Sequence, residues 1–214
     1  GEFISGEDGK ALLEIAEKED FTYSEVDDLG RVIEKNNYFD IHIEEILNHE
    51  LVDVEAIKSA NFKIAIDAVN STGGLVLPKL LKALGVETVY ELFCEPNGHF
   101  PHNPEPLPEN LTEISNTVVK NNADIGIVVD PDVDRLALVC EDGSMFGEEY
   151  TLVAVADYIL SQRVGNTVSN LSSTRALRDV TEKAGGQYFP AAVGEVNVVN
   201  KMKAQNAVIG GEGN

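Results

Sequence analysis

The sequence has 214 residues, of which 43% are hydrophobic and 25% are charged, an ordinary composition for a globular protein of one or two domains. The formal net charge of −21 argues against a nucleic-acid partner, because phosphate backbones are bound by clustered lysines and arginines. The same charge means that an anionic substrate must be met by a few locally placed cations.

No apolar stretch is long enough to span a membrane, and no signal peptide precedes the first predicted element. The cysteines, Cys94 and Cys140, have no metal-type spacing, so we expect both to be buried free thiols. Free thiols fit a reducing compartment. The sequence therefore predicts a cytoplasmic protein without a membrane partner.

The first 50 residues or so differ in pattern from the remainder of the chain. The sequence begins at Gly1, without an initiator methionine. Asp8 is predicted to cap a helix that extends to Glu17. A second helix is predicted from about Asp40 to His49, after an acidic connector. We interpret this region as the end of an earlier domain followed by a linker, and a self-sufficient helical hairpin is the alternative.

From Phe62 onward the pattern alternates between strands and helices. In chain order, the predicted elements are a strand at 62–69, a helix at 75–84, a strand at 88–93, an irregular Pro/Asn/His loop at 96–108, a helix capped by Asn110 or Thr112 that ends near 121, and strands at 125–129 and 136–140. This order predicts a mostly parallel sheet with helices on its faces.

The same rhythm starts again after a turn at 141–144. The predicted elements are a helix at 148–162, a strand at 167–171, a helix at 174–184, a strand at 187–192, a helix at 195–204 and a strand that begins at 207 and runs into a glycine-rich segment. The predicted fold class is therefore α/β, with two consecutive α/β domains that have mixed, mostly parallel sheets. Because the chain stops within a sheet element, we expect it to be a fragment.

The segment between the strands at 125–129 and 136–140 is the most informative one. Asp130, Asp132 and Asp134 alternate along it. Three carboxylates this close repel one another unless a cation sits among them, and oxygen ligands favour a hard ion such as Mg²⁺. Strand ends in α/β proteins are also where ligands bind. A solvated acidic turn is the alternative interpretation.

The spacing of these aspartates also matches part of a calcium-binding loop. Asp130, Asp132, Asp134 and Glu141 occupy positions 1, 3, 5 and 12 of an EF-hand pattern. Position 6 of that pattern needs glycine for a sharp turn, and this chain has Arg135 there. The flanking segments are predicted strands instead of helices, so we reject an EF-hand.

Several separated motifs occur in an order that resembles the α-D-phosphohexomutases, the superfamily of phosphoglucomutase, phosphomannomutase and phosphoglucosamine mutase. Residues 130–135 (DPDVDR) resemble its metal-binding loop, usually of DGDGDR or DPDADR type. Residues 210–214 (GGEGN) resemble the start of its sugar-recognition loop. Residues 67–74 and 103–111 resemble motifs of its second domain, and residues 193–194 resemble a substrate loop of its third domain. The resemblance covers nearly the whole chain.

This resemblance implies that the parent protein has four domains and that the chain holds the central part. Residues 1–40 would be the end of domain 1 with a linker, residues 41–147 would be domain 2, and residues 148–214 would be a truncated domain 3. Domain 4 and the phosphoserine loop of domain 1 would be missing. The family reaction moves a phosphoryl group between that phosphoserine and the C1 or C6 oxygen of a hexose phosphate, through a bisphosphorylated intermediate.

The resemblance also implies roles for individual residues. Asp130, Asp132 and Asp134 would each give Mg²⁺ a carboxylate oxygen, and the ion would neutralise charge on the transferring phosphoryl group. Arg135 would act in catalysis by bridging to a phosphate or to the serine loop, with pairing to the three aspartates as its alternative role. The residues implied to bind the hexose phosphate are Gly194, Glu195, Gly211, Glu212 and Asn214.

Two alternatives to a mutase are open at this stage. Without the phosphoserine and the domain that grips the substrate phosphate, the chain alone would be a catalytically silent module that binds metal or sugar phosphate. A Mg²⁺-dependent phosphatase with a DxD nucleophile would instead form an aspartyl-phosphate at Asp130 or Asp132. The sugar is also open among glucose, mannose and glucosamine phosphates, since no residue can be assigned to C2.

Overall fold

The computed structural model describes residues 4–213, and the chain divides into two compact units, residues 1–38 and 39–214. The first unit contains helix α1 (Gly6–Lys18) and a short 3₁₀ turn (Val26–Asp28). None of its described residues is buried. Its structure is therefore local, without a hydrophobic core of its own.

Helix α1 begins at a reciprocal cap between Ser5 and Asp8. The Asp8 amide donates to Ser5 Oγ at 3.0 Å, and the Ser5 amide donates to the Asp8 carboxylate at 3.3 Å. This capping box satisfies two amides that a helix leaves unpaired at its start. The prediction that Asp8 is the cap was therefore wrong, because Ser5 is the cap and Asp8 is the third helical residue.

The second unit contains two α/β sheets in succession. The elements around the first sheet are α2 (Tyr38–Leu47), α3 (Val54–Ala60), β1 (Lys63–Asp67), α4 (Gly73–Ala83), β2 (Thr88–Leu92), a 3₁₀ turn (Pro108–Asn110), α5 (Thr112–Asn121), β3 (Ile125–Val129) and β4 (Leu136–Cys140). The strand order is β2–β1–β3–β4. β1 pairs in parallel with β2 and β3, and β4 pairs antiparallel with β3.

The second sheet repeats part of this arrangement. Its elements are α6 (Glu148–Gln162), β5 (Asn166–Asn170), α7 (Ala176–Lys183), β6 (Tyr188–Ala191), α8 (Glu195–Gln205) and β7 (Ala207–Gly211). The strand order is β6–β5–β7, and both pairings are parallel. The predicted fold class, two consecutive α/β domains with mixed, mostly parallel sheets, is confirmed. Across the described part of the chain, no helix combines the length and apolarity needed to cross a membrane.

Two local features differ from the sequence-based expectation. Helix α3 was not predicted, because its seven residues are too few to show a clear periodicity. Neither Asn110 nor Thr112 caps α5, and the residue at the cap position is Leu111, which makes no side-chain cap bond. Leu111 is only 1% exposed, so its side chain anchors the start of α5 in the core.

Each face of the first sheet has its own hydrophobic core, because successive side chains of a strand point to opposite faces. From β1, Ile66 packs with Leu81 of α4 on one face. Ala65 packs with Ile114 of α5 on the other face. The result is a three-layer arrangement in which both faces of the central strands are covered, as is usual for parallel sheets.

The carboxyl ends of β1, β2 and β3 lie at one edge of the first sheet. Asp67, the last residue of β1, is level with Leu92 of β2 and with Val128 of β3. The loops that follow these strands therefore meet at the same edge. We call them the β1 loop (residues 68–72), the β2 loop (93–107) and the aspartate loop (130–135).

A buried carboxyl–imidazole contact ties the β2 loop to the end of β1. Asp67 is 1% exposed, and its Oδ2 lies 3.0 Å from His102 Nε2. His102 Nδ1 lies 2.7 Å from the carbonyl oxygen of Asn103, which can only accept, so Nδ1 carries a proton. The contact at Nε2 then needs one further proton, on the ring or on the carboxyl. The contact therefore joins the two side chains through one hydrogen bond.

The pKa of Asp67 reflects this environment. Burial raises the pKa, and the Val69 amide, which donates to Asp67 Oδ1 at 3.0 Å, opposes the rise together with His102. A carboxyl with a raised pKa keeps its proton in the folded protein at pH values where the unfolded chain has lost it.

The free cysteines are both partly buried. Burial raises the pKa of the Cys94 thiol to about 12, so it carries no appreciable thiolate at neutral pH. The prediction of free thiols is confirmed, although neither side chain is fully buried.

Truncation of Ile114 tests the core beneath the first sheet. Ile114 is fully buried on α5, so Ile114→Ala should lower the free energy of unfolding by about 3 kcal/mol, through lost apolar burial and a residual cavity. Val119 on the same helix is 51% exposed, and Val119→Ala should change it by less than about 0.5 kcal/mol. Urea unfolding followed by circular dichroism measures both, and equal losses would contradict the assignment of the core.

The Asp67 carboxyl should make stability depend on pH. Because its folded pKa is raised, its stabilising contribution is complete below the ordinary pKa of 3.8 and is lost as pH rises through the folded pKa. The unfolding free energy of the wild type minus that of Asp67→Asn should therefore fall as pH rises above that value. Urea unfolding at a series of pH values measures this difference.

Asp142→Asn is the control for that series. Hydrogen bonds from Ser144 lower the pKa of the exposed Asp142 carboxyl, so its contribution is lost only as pH falls below the ordinary value. The unfolding free energy of the wild type minus that of Asp142→Asn should stay constant over the pH range in which the same difference for Asp67→Asn falls. A constant difference for Asp67→Asn would contradict a raised pKa of the Asp67 carboxyl.

Candidate functional site

The aspartate loop brings its three carboxylates together. One oxygen from each of Asp130, Asp132 and Asp134 lies within 4.8 Å of the others. Asp130 is buried at 8% exposure, and the other two are exposed. The structure thus assembles the three residues that the sequence predicts as metal ligands, at the carboxyl end of β3.

Backbone amides explain why the loop folds around Asp130. The amides of Asp134 and Arg135 donate to Asp130 Oδ1 at 3.0 and 3.1 Å, and the Val133 amide donates to the Asp130 carbonyl at 3.2 Å. Asp130 therefore closes the loop with one carboxylate oxygen. Its Oδ2 is left for a further partner.

Val133 turns the chain between the two exposed aspartates. Its φ of +63° lies in the left-handed region, which costs a β-branched residue about 1–3 kcal/mol. Such a conformation persists only where surrounding contacts hold it. Glycine, which occupies this position in the DGDGDR form of the motif, adopts it without that cost.

The β1 loop supplies some of those contacts. Ser71 Oγ and Thr72 Oγ1 both donate to the carbonyl oxygen of Pro131, at 2.8 and 2.7 Å. Gly73 follows at the start of α4, where a Cβ would lie 2.5 Å from Val129 Cγ2. Helix α4 can therefore begin this close to β3 only with glycine at that position.

The donor set of the aspartate loop fits a hard divalent cation. Neighbouring ligand oxygens around an octahedral ion lie about 3 Å apart and opposite ones about 4 Å apart. The spacing of the three carboxylate oxygens, within 4.8 Å, is close to that requirement. All three donors are oxygens, which are the ligands that Mg²⁺ and Ca²⁺ prefer over the nitrogen and sulfur donors common in zinc sites.

Arg135 pairs with a residue of the β2 loop. Its Nη1 donates to Glu105 Oε2. Both side chains are about half exposed. Within residues 4–213, the ion pair of Arg135 is with Glu105 and not with the aspartates beside it. The alternative role predicted for Arg135, pairing with the three aspartates, is therefore not the arrangement found.

One cavity joins the aspartate loop to the second sheet. It has a volume of about 480 Å³. Its lining residues are Asp134, Arg135, Glu195, Val198, Val199, Met202, Gly210, Gly211, Glu212 and Gly213. Five residues with predicted site roles, Asp134, Arg135, Glu195, Gly211 and Glu212, thus line a single space.

Gly194 contacts Glu212 from the start of α8. Its amide donates to Glu212 Oε1 at 2.7 Å, and its φ of +111° favours glycine. Glu195 is the first residue of α8. The predicted substrate contact of Gly194 stays a prediction, and its observed partner is the Glu212 carboxylate. Asn214, the last predicted site residue, lies outside the described residues.

Sequence reasoning assigned no site role to several residues that support the aspartate loop. Ser71 and Thr72 lie within a motif singled out for its resemblance, but their contact with Pro131 was not foreseen. Glu105 lies between two prolines, a signal of a stiff loop but not of a partner. His102 lies in the segment predicted as an irregular Pro/Asn/His loop, a prediction that gave it no partner.

Comparison with known proteins assigns the chain to a family. Residues 40–143 match the family model described as phosphoglucomutase/phosphomannomutase, alpha/beta/alpha domain II, and residues 147–214 match domain III. The chain is 32% identical over 197 residues to a protein of Methanopyrus kandleri named probable phosphoglucosamine mutase. That match covers 91% of this chain and 42% of the relative. It is 35% identical over 215 residues to a phosphoglucomutase of Neisseria gonorrhoeae, covering 99% of this chain and 45% of the relative.

A solved structure supports the same relationship. The chain superposes on a phosphoglucomutase/phosphomannomutase family protein from Burkholderia thailandensis with a TM-score of 0.83 and 28% identity, over 98% of this chain and 44% of that one. The chain thus spans less than half the length of these relatives. The resemblance seen in the motifs is confirmed, and the chain belongs to the phosphoglucomutase/phosphomannomutase family, whose domains II and III it contains.

Proposed function

We propose that the parent protein is a Mg²⁺-dependent phosphohexomutase that interconverts hexose 1-phosphate and hexose 6-phosphate. The observation that carries the proposal is the shared cavity, which Asp134 and Arg135 line from the aspartate loop and Glu212 lines from the second sheet. A phosphoryl group and a sugar ring have to meet in such a space. Relatives named phosphoglucomutase and phosphoglucosamine mutase support this proposal.

The three aspartates are proposed to hold Mg²⁺ through one carboxylate oxygen each. When bound, the ion supplies positive charge that offsets the charge on a transferring phosphoryl group. Asp130 closes the loop with its Oδ1, so its Oδ2 is the oxygen free to serve as a ligand. Asp132 and Asp134 are exposed and open to the ion from the outer side.

Arg135 is proposed to bind a phosphate. Among the residues that line the described cavity, it carries the positive charge, while Asp134, Glu195 and Glu212 carry negative charge. A dianionic substrate that enters this cavity needs a local cation, because the net charge of −21 opposes its approach. The guanidinium donors match phosphate oxygens in geometry and are always charged.

Glu212 is proposed to orient the sugar. The Gly194 amide fixes one of its carboxylate oxygens at 2.7 Å, so the remaining acceptor sites have a defined direction. Hydroxyl groups of a hexose are donors that such a carboxylate binds. Glu195 lines the same cavity, and we propose that it accepts from the sugar or from its substituent.

The domain assignment is part of the proposal. Residues 1–40 would complete domain 1, residues 41–147 would form domain 2 and residues 148–214 would belong to domain 3. The phosphoserine and the domain that grips the substrate phosphate would come from the rest of the parent protein. This chain alone would then bind metal without turnover.

Binding of Mg²⁺ tests the aspartate loop in this chain. Calorimetric titration should show one site in the wild type, and Asp132→Asn should weaken it about 100-fold, since a ligand is lost. Glu141→Gln is the control, because Glu141 would be a ligand in a calcium-type loop but is not in the cluster. Equal loss in both variants would contradict the proposed ligand set, and no binding by the wild type would show that the site needs groups from elsewhere.

Turnover tests the reaction in the full-length protein. Conversion of glucose, mannose and glucosamine 1-phosphates to the 6-phosphates should be detectable by coupled assay. Asp132→Asn should lower kcat about 100-fold or more, because transition-state charge is no longer offset. This 214-residue chain should be inactive. Unchanged turnover in Asp132→Asn, or turnover by the chain alone, would overturn the proposed mechanism.

A further inference from the structure

Glu105 lies in a stiff part of the β2 loop. It stands between Pro104 and Pro106, and Pro106 is buried. Proline fixes its own φ and also restricts the residue before it to extended conformations. The backbone on either side of Glu105 is therefore confined before any tertiary contact is made.

Hydrogen bonds complete the restraint on the Glu105 backbone. Its amide donates to Asn103 Oδ1 at 3.2 Å. Its carbonyl accepts from Asn110 Nδ2 and from the Leu107 amide, both at 2.8 Å. Glu105 thus has an exposed side chain on a backbone that several hydrogen bonds and two prolines restrain. A surface carboxylate seldom has so many contacts to its backbone.

The segment next to Glu105 is anchored in the sheet. His102 contacts the Asn103 carbonyl through Nδ1 and the buried Asp67 carboxyl through Nε2. A continuous set of contacts therefore runs from the end of β1 through His102 and Asn103 to Glu105. It ends at Arg135, whose Nη1 donates to Glu105 Oε2.

The sequence context of Arg135 explains why such a partner matters. Asp130, Asp132 and Asp134 lie within five residues of Arg135, and a guanidinium turned toward them would compete with a metal ion for their oxygens. Glu105 attracts the guanidinium from a different loop. An exposed ion pair adds little to stability, so its effect on the direction of Arg135 is the more consequential one.

We propose that Glu105 is a positioning residue: it holds the Arg135 guanidinium away from the three aspartates, which keeps them available to the metal ion and Arg135 available to a phosphate. This inference rests on the proposed function, in which the aspartates bind Mg²⁺. Glu105 acts through Arg135 and lines no part of the described cavity. The guanidinium keeps donors free, because Glu105 engages it through Nη1.

A double-mutant cycle on Mg²⁺ affinity tests the proposal in this chain. Glu105→Gln should weaken Mg²⁺ binding by about 2- to 5-fold in calorimetric titration, the range expected for an exposed ion pair. Arg135→Gln should not weaken it, and Glu105→Gln should have no further effect in the Arg135→Gln background. Glu105 is half exposed, so the fold should survive, and circular dichroism verifies this.

The cycle separates positioning from simple loss of charge. Glu109→Gln removes a carboxylate from the same region at an exposed residue and should leave Mg²⁺ affinity unchanged. If Glu105→Gln weakens binding equally in both backgrounds, Glu105 acts directly on the ion and the proposal is wrong. It is also wrong if Glu105→Gln and Glu109→Gln have the same effect.

A second measurement reports on Arg135 without any metal. The Nε–H resonance of the Arg135 guanidinium should be resolved in the NMR spectrum of the wild type and of Glu109→Gln, and should broaden or average in Glu105→Gln. An unchanged resonance in Glu105→Gln would refute the positioning role. If the wild-type chain instead binds no Mg²⁺ while the resonance responds as expected, Glu105 still orients Arg135, and the metal site needs groups from elsewhere in the parent protein.

Discussion

Parallel pairing of β1 with β2 and β3 is the constraint on which the site depends. It places the ends of three strands level at one edge of the sheet, so three loops that are far apart in sequence become neighbours. Each loop then does a different task. The aspartate loop carries the carboxylates, the β1 loop fixes that loop through the Pro131 carbonyl, and the β2 loop supplies the partner of Arg135.

The second consequence of this arrangement is electrostatic. The chain is strongly acidic, and the proposed substrate is an anion, so binding has to rely on charge placed locally against an unfavourable overall field. A metal ion among the aspartates and the guanidinium of Arg135 would be the two sources of that charge. Their close spacing makes mutual interference the main difficulty, which the proposed role of Glu105 on another loop would resolve.

The sequence predicted the architecture well where patterns are local. The helix Glu148–Gln162 and the strands at 125–129 and 136–140 have the predicted bounds, because long amphipathic periods and short apolar runs between charged residues leave few alternatives. Helix α3 was missed because a seven-residue helix shows too little of its period. The cluster of three carboxylates was predicted because its members alternate along a single loop.

Contacts between loops could not be predicted in the same way. His102 meets Asp67 across 35 residues of sequence, and Glu105 meets Arg135 across 30. Such pairs are determined by strand order and register, which no local pattern contains. The glycine, serine and proline motifs marked the loops at this edge as irregular and family-like. Only the assembled sheet shows which residues of one loop hold those of another.

The left-handed conformation of Val133 gives the aspartate loop a property beyond its ligand chemistry. A valine does not take up that conformation by itself, so the shape of the hexapeptide is imposed by the Asp130 carboxylate and by the hydroxyls of Ser71 and Thr72. The six residues are therefore not a portable module. Grafted onto another scaffold without the neighbouring loop, they would relax to a different shape and present three dispersed carboxylates.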